Sequence, residues 1–164
     1  MRKSLVALLC MIMVLSIALT ACKSESSQNI VSEALNIDVS SGSEVSHYDT
    51  HSGNGDGVSC IVLSFSDSSV LEEIKINTEW KAFPLDETMQ ALVYGVEDET
   101  EKVGPFLSDG DGNPLVAEIQ NGYYCLIDRH SDTETNILER HSFNFTVGLY
   151  DTDTDTLYFC ELDT

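Results

Sequence analysis

Positive charge is what this chain most lacks. It holds 8 Lys and Arg against 28 Asp and Glu in 164 residues. Arg2 and Lys3 stand near the start, and no acidic residue precedes position 23, so the chain beyond Cys22 carries −22. Such a surface argues against nucleic acid or anionic lipid headgroups as partners, because both need a positive surface, and leaves any hold on a membrane to a lipid anchor. It leaves cationic partners or divalent metals, and first of all a solvated acidic face.

Catalytic patterns are missing too. The chain has no GxSxG, HExxH, SxxK or glycine-rich phosphate loop. It has no CxxC pair, which weakens both a zinc site and a redox dithiol. Paired carboxylates occur, but among 28 of them they carry no information about acid–base roles.

The chain does have a strongly marked beginning. Arg2 and Lys3 precede an apolar run over 5–19, broken only by Ser16. At ~1.5 Å per residue a helix of that length reaches about 22 Å. A bilayer core of ~30 Å calls for about 20 residues. The run is therefore short for a span and fits a secretory signal. Leu19-Thr20-Ala21-Cys22 then resembles the lipobox of bacterial lipoproteins. That resemblance implies acylation of the Cys22 sulfur, cleavage before it, and a protein held at the outer face of the bacterial cytoplasmic membrane. The expected organisation is a signal peptide over 1–21, a lipidated polar tether over 22–29 and one acidic globular domain over 30–164.

Cys10 leaves with the signal, and Cys60, Cys125 and Cys160 remain. Each sits in an apolar strand-like run, so three reduced core cysteines are the expectation, with one disulfide plus a free thiol as the alternative.

Apolar alternation predicts strands over 58–65, 88–95, 123–128, 143–150 and 157–162, with weaker ones over 44–50 and 115–119. Val70, Leu71 and Ile74 behind Asp67 predict the best helix, over 68–76. Residues 30–35 supply one or two helical turns, and Ser131-Asp132-Thr133-Glu134 fits a capping box for another short helix. With Asp153 and Thr154 as a loop centre, Phe145 faces Leu162, Val147 faces Cys160 and Leu149 faces Tyr158. The other face then carries Asn144, Thr146, Gly148, Tyr150 and Glu161, as in a half-buried sheet. The fold expected is α+β, an antiparallel sheet of five to six strands with one packed helix, with a β-sandwich as the alternative.

Two constellations could bind metal. His47, Asp49 and His51 alternate along a strand and share a face, with Asp56 nearby, so they could ligate a transition metal. Asp109, Asp111 and Asn113 begin like a calcium loop, but Pro114 and Gln120 break the EF-hand pattern. Phe83-Pro-Leu-Asp-Glu-Thr88, Ala91-Leu-Val-Tyr-Gly95 and Phe143-Asn-Phe-Thr146 give the mature part a similarity to small uncharacterised lipoproteins of gut-type Firmicutes. This likeness implies a location and no activity. The expected role is a membrane-anchored, non-enzymatic binding or interaction module, with an envelope protein, a cationic ligand or calcium as its partner. The alternative is a small metal-dependent hydrolase built on His47, Asp49 and His51.

Overall fold

The computed structural model describes residues 25–97 and 102–164. Cys22 and its signal lie outside the described residues. In chain order the elements are α1 (Ser27–Leu35), β1 (Ser43–Asp49), β2 (Gly57–Ser64), α2 (Ser69–Ile76), β3 (Lys81–Ala82) and α3 (Glu87–Val93). There follow β4 (Val96–Glu97), β5 (Lys102–Val103), β6 (Gly122–Asp128), a 3₁₀ turn (Ile137–Glu139), β7 (Asn144–Asp151) and β8 (Thr156–Asp163).

Apolar residues at every second position, Phe145, Val147 and Leu149 facing Tyr158, Cys160 and Leu162, make β7 and β8 a hairpin, closed by the Asp-Thr repeat between them. Their register is the expected one: Phe145 opposite Leu162, Val147 opposite Cys160, Leu149 opposite Tyr158. Around this hairpin a six-stranded sheet runs β1-β2-β8-β7-β6-β3. Every neighbouring pair is antiparallel. The fold is α+β, a sheet with packed helices. A separate small ribbon pairs β4 with β5.

The sheet is covered on both faces, not half-buried. Side-chain parity sends Cys60, Val62, Tyr124, Phe145, Val147, Leu149, Cys160 and Leu162 to one face, under Met89, Leu92 and Val93 of α3 and Leu107, Val116 and Ile119 beyond it. The opposite face carries Ile61, Leu63, Cys125, Tyr150, Leu157 and Phe159 under Val31 and Leu35 of α1, Val70 and Ile74 of α2, and Trp80. Gly148 explains how this second face closes. A Cβ there would lie 2.8 Å from Trp80 Cη2 and 3.1 Å from Leu35 Cδ1, so the missing side chain is the space those two fill.

Four local expectations are corrected. The segment over 88–95 is a helix, because Asp86 caps it: Asp86 Oδ1 accepts from the Met89 amide at 2.9 Å. Its turn then buries Met89, Leu92 and Val93 together, whereas a strand would turn Leu92 away from the other two. Residues 115–119 are not a strand, although Val116 and Ile119 are buried. The capping-box segment forms no helix at Ser131; Asp132 Oδ1 accepts from the amides of Glu134 and Thr135, and only Ile137–Glu139 coils. The cysteines are not all reduced. Cys60 and Cys160 face each other across β2 and β8, with Cα atoms 4.1 Å apart, and form a disulfide. Cys125 stays a free buried thiol on the other face, its pKa pushed up to about 12 by burial.

Helix α1 starts at Ser27, inside the stretch read as tether. Ser26 caps it by accepting from the Asn29 amide at 3.2 Å. No helix among the described residues is long and apolar enough to cross a membrane.

Candidate functional site

The strands end in two different surroundings. Where β6 begins and β7 finishes, five separate segments surround a groove of about 1110 Å³. That is near the upper end of small-ligand sites, which run to ~1,000 Å³. Its floor is apolar, with the buried Val116 and Ile119. Its walls are Phe83, Pro84 and Leu85 before α3, Tyr94 at the end of α3, and Tyr123 of β6. Polar groups stand at its rim: Lys75, Gln90, Glu118, Gln120, Asn121 and Thr152.

Local hydrogen bonds hold this shape. The Phe83 amide donates to the Gly122 carbonyl at 3.0 Å, which ties the segment before α3 to the start of β6. Phe83 and Tyr124 meet edge to face, with centroids 6.0 Å apart. Tyr94 fixes the facing loop: its hydroxyl donates to the Ala117 carbonyl at 2.8 Å and accepts from the Ile119 amide at 3.1 Å. Burial raises the Tyr94 pKa, which keeps that hydroxyl protonated. Asn121 donates to Asp153 Oδ2 at 2.9 Å, and its carbonyl accepts from the Thr152 amide and hydroxyl. The lining contains no histidine or cysteine, and its only charged groups are Lys75 and Glu118. Such an arrangement can bind by apolar contact and hydrogen bonds.

At the other end of the sheet lies a network of charged side chains. His51 Nδ1 meets Asp49 Oδ1 at 2.7 Å, and Nε2 meets Asp163 Oδ2 at 3.2 Å. Arg129 Nη2 donates to Asp163 at 3.1 Å, and Thr146 donates to Glu161 Oε1 at 3.0 Å. A little farther along, Arg140 grips Asp128 with both guanidinium nitrogens at 2.9 and 2.8 Å. That fork lowers the Asp128 pKa.

The sequence placed His47, Asp49 and His51 together, and the structure separates their roles. His47 is exposed on the edge strand β1, opposite Ile61. His51 lies beyond the strand, with both ring nitrogens on carboxylates, and Asp56 accepts from Asn54 Nδ2 at 2.6 Å. Asp109 turns its carboxylate onto its own loop, accepting from the amides of Asp111 at 2.9 Å and Asn113 at 2.8 Å, and from the Asn113 side chain. Those bonds lower the Asp109 pKa, the Asn113 bonds most. No group of three or more His, Cys, Asp or Glu among the described residues is arranged to hold a metal ion.

Sequence reasoning missed the groove. Trp80 is a buried lid over the sheet, whereas Phe83 is a half-buried groove wall. The available signal was composition: Phe83-Pro84-Leu85 and Pro114 put rigid apolar residues in loops. No family model matches the chain, and comparison with curated proteins and with solved structures finds no match.

Proposed function

We propose that this chain is a lipid-anchored, extracytoplasmic binding module that takes its ligand in the groove between α3, the residues before it, and the loop over 114–122. The groove itself carries this reading: an apolar floor with a rim of amides, a hydroxyl and two opposite charges is the composition of a ligand site. With −22 on the chain beyond Cys22, neutral or cationic ligands are favoured over anions. The Cys60–Cys160 disulfide supports an oxidising compartment on grounds independent of the lipobox. The metal-dependent alternative gains no comparable support, since His51 spends both nitrogens on Asp49 and Asp163.

A thermal-shift screen of neutral saccharides and cationic peptides tests the groove, with Gln90→Trp as the blocked control. A ligand at 100 times its Kd adds ~2.7 kcal/mol of stability. The expected hit raises the midpoint of the wild type and leaves that of Gln90→Trp unchanged. Hits that act equally on both chains would refute the groove as the site.

A further inference from the structure

The start of α1 and the position of Cys22 together determine how the domain meets the bilayer, an argument that rests on the anchoring reading above. Four peptide steps separate Cys22 from the cap residue Ser26. At about 3.3–3.6 Å per residue a fully extended chain covers roughly 14 Å in that distance. Ser26 is itself fixed to the fold. It caps α1, the neighbouring Ser27 hydroxyl donates to Glu44 at the start of β1, and Gln28 Nε2 donates to the Gly42 carbonyl at 3.0 Å. Gly42 in turn lies against Phe65, just past the end of β2; a Cβ at 42 would come within 2.9 Å of that ring.

The first turn of α1 therefore marks one end of the sheet, and the register carries that end across it. Ser43 pairs with Ser64, Ser64 with Thr156, Asp151 with Thr156, and Gly122 with Asp151. The far end is marked by Asp49, Gly57, Asp163, Asn144 and Asp128. Eight residues of strand at ~3.3 Å each put the two ends about 25 Å apart, beyond the reach of the tether.

Charge selects among the orientations that such a tether allows. Bringing acidic surface onto anionic headgroups is repulsive over a screening length of ~8 Å. Lying flat would appose a whole helical or edge face of a strongly acidic domain. Standing on the tethered end apposes only the strand ends and their connecting loops, the acidic turn over 151–155 among them. We propose that the sheet end carrying Ser43, Ser64, Thr156 and Gly122 faces the lipid bilayer, while the His51–Asp163 end faces outward. The groove lies at the tethered end, beside Gly122 and Thr152, so its ligand is met in the layer next to the headgroups.

Energy transfer on the full acylated chain, reconstituted in vesicles of phosphatidylcholine and phosphatidylglycerol, tests this. A donor dye is placed at Ser41→Cys or Gly53→Cys, with an acceptor on the lipid headgroups. Both positions are exposed, an added Cβ at 53 meets nothing within 4 Å, and the native cysteines of the domain are paired or buried. With the ends ~25 Å apart, transfer from position 41 should exceed transfer from 53 by about twofold or more. Inserting a Gly/Ser linker of about twelve residues after Ser24 should abolish the difference. Equal transfer, stronger transfer from 53, or a difference that survives the linker overturns the orientation. Mass spectrometry of the mature N-terminus separates the two readings. An unacylated Cys22 overturns the anchor and the orientation together, whereas acylation with equal transfer overturns the orientation alone.

Discussion

The two ends of this sheet are built from the same strands and finish differently. At one end the walls of a groove are apolar, and the polar groups stand around its rim. At the other end His51, Asp49, Asp163, Arg129, Glu161 and Thr146 satisfy one another in a chain of ion pairs and hydrogen bonds. Residue types that usually signal chemistry are thus concentrated where their valences are already met. The groove is made of residues that alone signal nothing. A site is identified by unfilled space with convergent groups around it, and a cluster of histidine and carboxylates by itself identifies only a network.

The largest effect is expected from a change in the middle of the sheet, between the two ends. Cys60 and Cys160 link the central strands β2 and β8 with a sequence separation of 100. A loop of that length restrains the unfolded chain, and losing it should cost about 3–5 kcal/mol. Urea unfolding of Cys60→Ser/Cys160→Ser should show a single transition at a much lower midpoint, matched by the wild type under reductant. Two separated transitions would mean that the ends are independent units.

How much of this was legible follows from how far each feature reaches along the chain. The β7–β8 register could be read because its determinants, an Asp-Thr loop and alternation on both sides, are local. The same holds for β2, β6 and α2. Segment 88–95 misled because Met89, Ala91 and Val93 alternate like a strand while Met89, Leu92 and Val93 also fit a helix; Asp86, a cap three residues before Met89, was the deciding signal. The disulfide was illegible because it depends on β2 pairing with β8, a contact that no local pattern specifies. His51 shows the same limit, since its second carboxylate, Asp163, is 112 residues away. The groove draws its lining from five segments, and in one of them, over 114–122, the apolar residues at 115–119 suggest a strand that does not form.

At the groove end, Tyr94→Phe removes one hydroxyl and leaves two backbone groups, the Ala117 carbonyl and the Ile119 amide, without their partner. Losing such a paired hydroxyl costs about 1–2 kcal/mol. The loop over 117–119 should exchange its amides faster, while protection of β7 and β8 stays near that of the wild type. Uniform loss of protection across the sheet would show that the groove wall and the core are one unit, which would weaken the contrast between the ends.

The smallest effect is expected at the opposite end, and it depends on pH. Burial lowers the His51 pKa, but the hydrogen bonds and charges of Asp49 and Asp163 outweigh it, so the net shift is upward from 6.5. A group whose pKa is higher in the folded chain contributes fully below its unfolded pKa and loses that contribution as pH rises through the folded one. The His51 clamp between Asp49 and Asp163 should therefore weaken as pH rises above 6.5. Its size should stay below about 1 kcal/mol, as for other partly exposed ion pairs. Asp49 behaves in the opposite sense. The His51 backbone amide, and then its ring, hold the Asp49 carboxyl below its ordinary value, so that contribution is lost only in acid. In His51→Gln the decline over the neutral range should flatten, while the acid limb carried by Asp86 and Asp128 persists, since both have lowered pKa values. Parallel stability curves for wild type and His51→Gln as pH rises above 6.5 would show that the clamp carries no proton-linked stability. The charged end would then differ from the groove end in composition only.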